Sequence, residues 1–181
     1  MWRGRRWSRF GVPIMTSVVI WRHREVIDGN VFRELLDDEP PGPPVAPWSL
    51  LSDVWIAADS RSMTDAEVTS DLAINVAAGL HTIRAAVSLF GDRGGTILVT
   101  GGGIATTPNP NAVSLGVSKV AMRHAVQALV KPLAERGIRI ATATVRERIS
   151  PDSAESAGVA DLMWRLATDP EAPWELDYRA A

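Results

Sequence analysis

The chain has 181 residues, 46% of them hydrophobic, enough to bury one good core and to make a single domain the natural expectation. Its 19 basic and 21 acidic side chains leave a formal charge of −2, so neither nucleic acid nor a membrane surface is expected as a partner. Cysteine is absent, which excludes disulfides, thiolate metal sites and cysteine nucleophiles and fits a cytoplasmic location; His23, His81 and His124 lie too far apart in sequence for a helical zinc pair, so no metal is expected.

Residues 1–14 form a basic head, with Arg3, Arg5, Arg6 and Arg9, for which no order is expected. The apolar run from Val12 to Trp21 imitates an export signal behind Arg5-Arg6, but Pro13, Thr16 and Ser17 interrupt it and no small-residue cleavage site comes after it. It is also too short to span a bilayer. The expectation is a soluble chain in which Met15 marks an older start and Thr16-Ser17-Val18-Val19-Ile20 is a first buried strand. The segment 15–50 then runs into Pro40-Pro41-Gly42-Pro43-Pro44 and Pro47, which supply no helix or ladder donors and read as a linker.

From residue 51 to about 170 the pattern is regular. Asp53-Val54-Trp55-Ile56-Ala57-Ala58 reads as a buried strand, and Thr64-Asp65-Ala66-Glu67 as a helix cap with carboxylates in the first turn. Leu72, Val76, Leu80, Ile83 and Val87 form one apolar stripe at helical spacing. Gly94-Gly95 stops that helix, and Thr96-Ile97-Leu98-Val99-Thr100 is a short β-branched run, hence a buried strand. Gly101-Gly102-Gly103 and Pro108-Asn109-Pro110-Asn111 make a loop. A second helix is expected over 113–135, with Val117, Ala121, Ala125, Ala128 and Leu129 on a small-residue face and Pro132 weakening its last turn. Gly137 ends it, Ile138 to Val145 alternate like a strand, and a last helix is expected over 154–167, before a tail at 171–181. Alternating strands and helices predict an α/β fold with a parallel sheet and right-handed crossovers.

Four of these stretches, in this order, carry a resemblance. They are Asp71-Leu72-Ala73-Ile74-Asn75-Val76-Ala77-Ala78-Gly79, Gly95-Thr96-Ile97-Leu98-Val99-Thr100, Ser114-Leu115-Gly116-Val117-Ser118-Lys119, and Lys131-Pro132-Leu133-Ala134-Glu135-Arg136-Gly137-Ile138-Arg139-Ile140. Together they resemble the second half of a short-chain dehydrogenase/reductase. The resemblance implies a Rossmann-like parallel sheet with flanking helices, shortened in its N-terminal half. It also implies an NAD- or NADP-dependent oxidoreductase of carbonyl or alcohol substrates.

Active members use a tyrosine as proton donor or acceptor, a serine to hold the substrate oxygen, a lysine for the tyrosine and the cofactor ribose, and an asparagine for a proton relay. By position, Asn75 matches the asparagine and Lys119 the lysine. Leu115 stands at the tyrosine position and Gly102 at the serine position. Leucine transfers no proton and glycine donates no side-chain hydrogen bond, and general acid–base catalysis is worth about 10²–10⁴-fold. Thr100, Thr106, Ser114 and Ser118 lie near in sequence, but none has the acidity of a phenol. Tyr178, the only tyrosine, reads as a surface residue of the tail.

The cofactor half departs further. Ser17-Val18-Val19-Ile20 stands where the family's first strand is expected, yet it leads into Trp21-Arg22-His23-Arg24-Glu25 in place of a glycine-rich turn. Ala57-Ala58-Asp59-Ser60 replaces the family's Asn-Asn-Ala-Gly, and Arg146-Glu147-Arg148, read as a solvated cluster, replaces its Pro-Gly. Thr100-Gly101-Gly102-Gly103 comes after a strand but leads to Pro108 and Pro110 instead of a helix N-terminus, so it reads as a turn. Lys119 reads as a solvated relic.

The expectation is a family member with little or no activity. A second reading is a non-catalytic assembly or regulatory subunit, a homodimer or a mixed dimer with another family member, joined through the helices at 71–90 and 113–135. A third is the product of an interrupted gene, for which the unusual first 50 residues speak.

Overall fold

Among the described residues Thr64 opens the first helix, as its sequence predicts. Its hydroxyl accepts from the Glu67 amide while the Glu67 carboxylate accepts from the Thr64 amide (2.7 Å), a reciprocal capping box. The capped helix α1 (Asp65–Leu72) passes through a π-helical turn (Ala73–Ala77) into α2 (Ala78–Phe90). In this computed structural model the described residues are 18–22, 25–26, 63–150 and 153–179. The expected strand at 53–58 and the proline-rich linker lie outside them.

Among the described residues five strands make one sheet: β1 (Val18–Arg22), β2 (Glu25–Val26), β3 (Gly95–Gly102), β4 (Ile138–Val145) and β5 (Glu175–Tyr178), in the spatial order β2-β1-β3-β4-β5. The remaining α-helices among the described residues are α3 (Val113–Ala134) and α4 (Ala154–Thr168). β3 and β4 pair in parallel along their whole length, from Gly95 with Ile138 to Gly102 with Val145, and β5 adds in parallel to β4. This three-stranded parallel sheet with flanking helices is the Rossmann-like arrangement that the alternation predicts.

The first strand differs from expectation. β1 pairs antiparallel with β3, Val18 opposite Val99 and Trp21 opposite Thr96, and antiparallel with β2, Arg22 opposite Glu25. It is therefore not the first parallel strand of a Rossmann unit. The sequence after Ile20, Trp21-Arg22-His23-Arg24-Glu25, lacks the glycine-rich turn with which such a unit starts.

The C-terminal segment also differs. Glu175–Tyr178, expected in a tail, is the edge strand of the sheet. Its register is set by packing: the Trp174 carbonyl accepts from the Thr142 amide (2.7 Å), and the Glu175 carboxylate accepts from Thr144 Oγ1 (2.7 Å) and Arg123 Nε (2.8 Å).

Two cores flank the sheet. On one face Ile83, Ala86 and Phe90 of α2 and Met122, Val126 and Leu133 of α3 cover Ile97, Val99, Ile138 and Ile140. On the other, Val159, Met163 and Leu166 of α4 cover Leu98, Ala141 and Ala143. Each large side chain so buried contributes about 1.5–3 kcal/mol. The sheet is covered on both sides, so β4 is buried at nearly every position and does not alternate. The stripe expected on the first helix is only partly correct. Ile83 is buried, but Leu72 and Leu80 are exposed, and the buried positions are Asp71, Gly79, Thr82, Ala86 and Phe90. The π-helical turn adds a residue per turn and rotates the apolar face between the two halves. By length and composition alone Asp65–Arg93 would pass for a membrane span, but its C-terminal half packs against the sheet.

Gly94 and Gly137 take positive φ, both +68°, and a Cβ at Gly94 would lie 2.5 Å from the Gly137 carbonyl oxygen. The two chain reversals that start β3 and β4 thus meet backbone to backbone.

Candidate functional site

The parallel register places the C-terminal ends of β3 and β4 side by side, Gly102 opposite Val145, at the edge where open α/β sheets hold ligands. α3 starts beyond that edge. Leu115 and Lys119, one turn apart in its first turns, both face the end of β3. Between these elements lies a cleft of about 1040 Å³ whose walls include Gly102, Leu115, Lys119, Arg146, Arg148 and Arg179.

Lys119 is 7% exposed, so it is not the solvated residue expected from its helix position. Its Nζ donates to the Thr100 carbonyl oxygen (3.3 Å), and its stem lies against the glycine run: a Cβ at Gly102 would sit 3.7 Å from Lys119 Cγ and Cε. Leu115 is equally buried. The sequence-predicted residues Gly102, Leu115 and Lys119 therefore do converge.

Asn75 does not join them at the cleft wall. It sits in the π-helical turn, and its amide donates to the Asp71 carbonyl oxygen (3.0 Å) and to Asp71 Oδ1 (3.3 Å). Asp71, 1% exposed, also accepts from the Ser114 hydroxyl of α3. This Asp71–Asn75–Ser114 cluster ties the first helix to the start of α3 and satisfies a buried carboxylate without a cation. Sequence reasoning passed over Asp71. The one signal available was a charged residue inside an apolar helical stripe.

Arg146 was expected in solvent with Glu147 and Arg148. It is half-buried, its Nε donating to Asp177 Oδ2 (2.7 Å) and its Nη1 to Thr106 Oγ1 (2.9 Å). Glu147 and Arg148 are exposed. Arg179 approaches Asp177 from the end of β5, Nη2 to Oδ2 3.9 Å. The glycine loop is held by Thr106, whose amide and hydroxyl both donate to the Gly103 carbonyl oxygen (3.0 and 3.1 Å).

Tyr178 stands in β5, its ring against Gly158, where a Cβ would meet Cε2 at 2.6 Å. Desolvation raises its phenol above the ordinary tyrosine value, with smaller contributions from Glu155 and Glu147. It does not line the cleft. Among the described residues no cluster of histidine, aspartate and glutamate is suited to a metal ion.

Comparison with known proteins gives a consistent picture. Residues 55–146, about half of the chain, match the short chain dehydrogenase family. No curated protein matches. Among solved structures, a short chain dehydrogenase from Mycobacterium smegmatis is similar with a TM-score of 0.61 at 20% identity, covering 68% of this chain and 54% of its own. A metagenomic short-chain oxidoreductase in complex with NADP gives 0.60 at 20% identity, over 70% of this chain and 57% of its own. A short chain dehydrogenase from Burkholderia cenocepacia J2315 in complex with NADP gives 0.56 at 22% identity, over 70% of this chain and 60% of its own. The chain thus spans only a little over half the length of these proteins.

Proposed function

Starting from a chain that belongs to the short chain dehydrogenase family, we propose that this protein derives from NAD(P)-dependent oxidoreductases of carbonyl or alcohol substrates and turns over little or none itself. The observation that carries the reading is the wall formed by Gly102, Leu115 and Lys119. Lys119 keeps its place beside the strand end. The two positions that would present a hydroxyl to a substrate carbonyl hold a glycine and a leucine. Asn75 is engaged with Asp71 inside its own helix.

The described residues also fit a dinucleotide poorly. A pyrophosphate is held where a parallel strand turns into a helix N-terminus, and the strand beside β3 runs the opposite way. The test is calorimetric titration of NAD(H) and NADP(H) into the purified protein, with a spectrophotometric assay against simple aldehydes and ketones. The expected result is no turnover and no saturable dinucleotide binding. Micromolar binding with measurable hydride transfer would overturn the reading.

A second reading, an assembly or regulatory subunit, draws on the exposed apolar side chains Val68 and Leu72 of α1 and Val113, Val117 and Val120 of α3. Val113, Val117 and Val120 share one helical face, the kind of surface that packs against a second subunit, either another copy or a related family member. Sedimentation velocity that finds only monomer, alone and mixed with an active family member, would remove it. The cysteine-free sequence agrees with work in the cytoplasm.

A further inference from the structure

Arg146 is held from two sides, and the two sides belong to different parts of the chain. Its amide, one residue past the end of β4, donates to the Tyr178 carbonyl oxygen (3.2 Å), and its Nε donates to Asp177 Oδ2 (2.7 Å), both in β5. Its Nη1 donates to Thr106 Oγ1 (2.9 Å), in the loop after β3. Gly103 makes that reach possible. A Cβ there would lie 3.2 Å from Arg146 Cγ and 3.3 Å from its Cα, crowding the arginine stem where it passes the strand end.

The loop has little else to hold it. Thr106 and Thr107 donate their amides to the Gly103 carbonyl oxygen (3.0 Å each), the Asn111 amide donates to Asn109 Oδ1 (2.9 Å), and the Ala112 amide to the Asn109 carbonyl oxygen (3.1 Å). All of these close within residues 103–112. Pro108 and Pro110 have no amide hydrogen to give. Ile104 anchors the start of the loop on α3, its Cγ1 3.5 Å from where a Cβ of Gly116 would stand, but residues 106–111 are all exposed. Among the described residues, the bond from Arg146 to Thr106 is therefore the one hydrogen bond that ties residues 104–111 to another part of the fold.

Ile104, Thr107, Pro108, Asn109 and Pro110 form a wall of the cleft at the ends of β3 and β4, and Leu115, 7% exposed, lies in the same cleft. We infer that Arg146 is a clasp that governs access to this cleft. Engaged, it fastens the loop wall to β5 through Thr106 and Asp177. Released, it lets residues 106–111 swing away from the strand ends and uncovers Leu115. Weakly bonded, exposed segments open at lower free energy than the core they border, so loss of one external bond shifts this local equilibrium first. The inference requires neither turnover nor a dinucleotide, and it stands or falls separately from the proposed function.

The absence of cysteine from the sequence provides a clean test in the full chain, because one introduced thiol is then the only one. Leu115→Cys is labelled with a small neutral thiol reagent, alone and combined with Arg146→Met, Thr106→Val or Thr106→Ser. When opening and closing are fast, the labelling rate follows the open population. The expected result is a rate about tenfold or more higher with Arg146→Met and with Thr106→Val, and within about twofold of the parent with Thr106→Ser, which keeps the hydroxyl. Removing a cation would by itself slow labelling by disfavouring the thiolate, so a rise with Arg146→Met reports opening. Thr106→Val changes no charge and sits at an exposed position, so it keeps the fold. Val126→Cys, at a fully buried position of the α3 core, reports global unfolding in the same backgrounds. Leu115→Cys rates that stay unchanged, that rise only in step with Val126→Cys, or that rise as much with Thr106→Ser as with Thr106→Val overturn the inference.

Discussion

The Ser114 hydroxyl of α3 donates to the Asp71 carboxylate of α1, so the first turn of the helix that carries Leu115 and Lys119 is tied to the helix that carries Asn75. The Asn75 amide donates to the same carboxylate. One buried acid therefore sets the spacing of the elements from which the site is built.

Removal of that acid should be costlier than removal of either partner. Asp71→Ala leaves the buried Ser114 hydroxyl without its acceptor, at about 1–3 kcal/mol, and also removes the Asn75 bond to Oδ1, although the Asn75 amide keeps the main-chain carbonyl of residue 71. Ser114→Ala removes one donor and costs about 1–3 kcal/mol in all. Urea midpoints measured side by side should place Asp71→Ala well below Ser114→Ala. Equal losses would mean that the carboxylate is not the common anchor.

Acid should weaken the tie between α3 and β5. Hydrogen bonding from Arg123, the largest cause, holds the Glu175 carboxyl below the ordinary glutamate value; Thr144 and the charges of Arg123 and Arg146 act in the same direction, and burial opposes them. A depressed folded-state pKa contributes stability that is full above the unfolded value, about 4.3, and is lost as pH falls through the folded one. Glu175→Gln should therefore lower the thermal midpoint at pH 7, by the equivalent of about 1–3 kcal/mol. The gap between the two proteins should narrow progressively below about pH 4. A gap that stays constant down to the acid limit would show that the carboxylate charge contributes nothing.

The two glycines with equal φ should respond unequally to alanine. Gly137→Ala meets only the Gly94 Cα at 3.9 Å, so it carries little beyond the left-handed backbone penalty of about 1–3 kcal/mol. Gly94→Ala carries the same penalty and also drives a Cβ to within 2.5 Å of the Gly137 carbonyl oxygen. Denaturant titration should rank Gly94→Ala as clearly the more damaging.

Refilling the hydroxyl positions should be structurally tolerated and functionally silent. Gly102→Ser makes only ordinary contacts with Lys119 and Ile104, all at 3.7 Å or more, and should change stability by no more than about 0.5 kcal/mol. On the proposed function, Gly102→Ser with Leu115→Tyr should still show no NADPH-dependent reduction of simple ketones, since the antiparallel β1 beside β3 makes no parallel strand-to-helix turn for a pyrophosphate among the described residues. Turnover in that protein would place the defect in those two residues alone.

Much of the fold was legible because local signals and burial agree. Thr96–Thr100 is β-branched and flanked by glycines, Ile138–Val145 starts directly after Gly137, and Thr64 with Glu67 makes a capping box. β5 was not legible, because Glu175-Leu176-Asp177-Tyr178 has the composition of a polar tail. It is a strand through contacts distant in sequence, chiefly those of Glu175 with Arg123 and Thr144. The exposure of Leu72 and Leu80 was hidden because a helical period assumes an uninterrupted α-helix, and the π-helical turn breaks the phase between them.

By itself the sequence determined the alternation of strands and helices and the family, and it singled out Gly102, Leu115 and Lys119 as one candidate site. These rest on local pattern and residue type, which a linear chain carries in full. Only the tertiary structure decided the direction of β1 against β3, the burial of Lys119, the capture of Asn75 by Asp71, and the gathering of Arg146 and Arg179 at one cleft. Strand direction depends on the connection and on which sheet edge is open. Burial and charge proximity depend on groups as far apart in sequence as Arg146 and Asp177, brought within hydrogen-bond distance only when the parallel sheet closes.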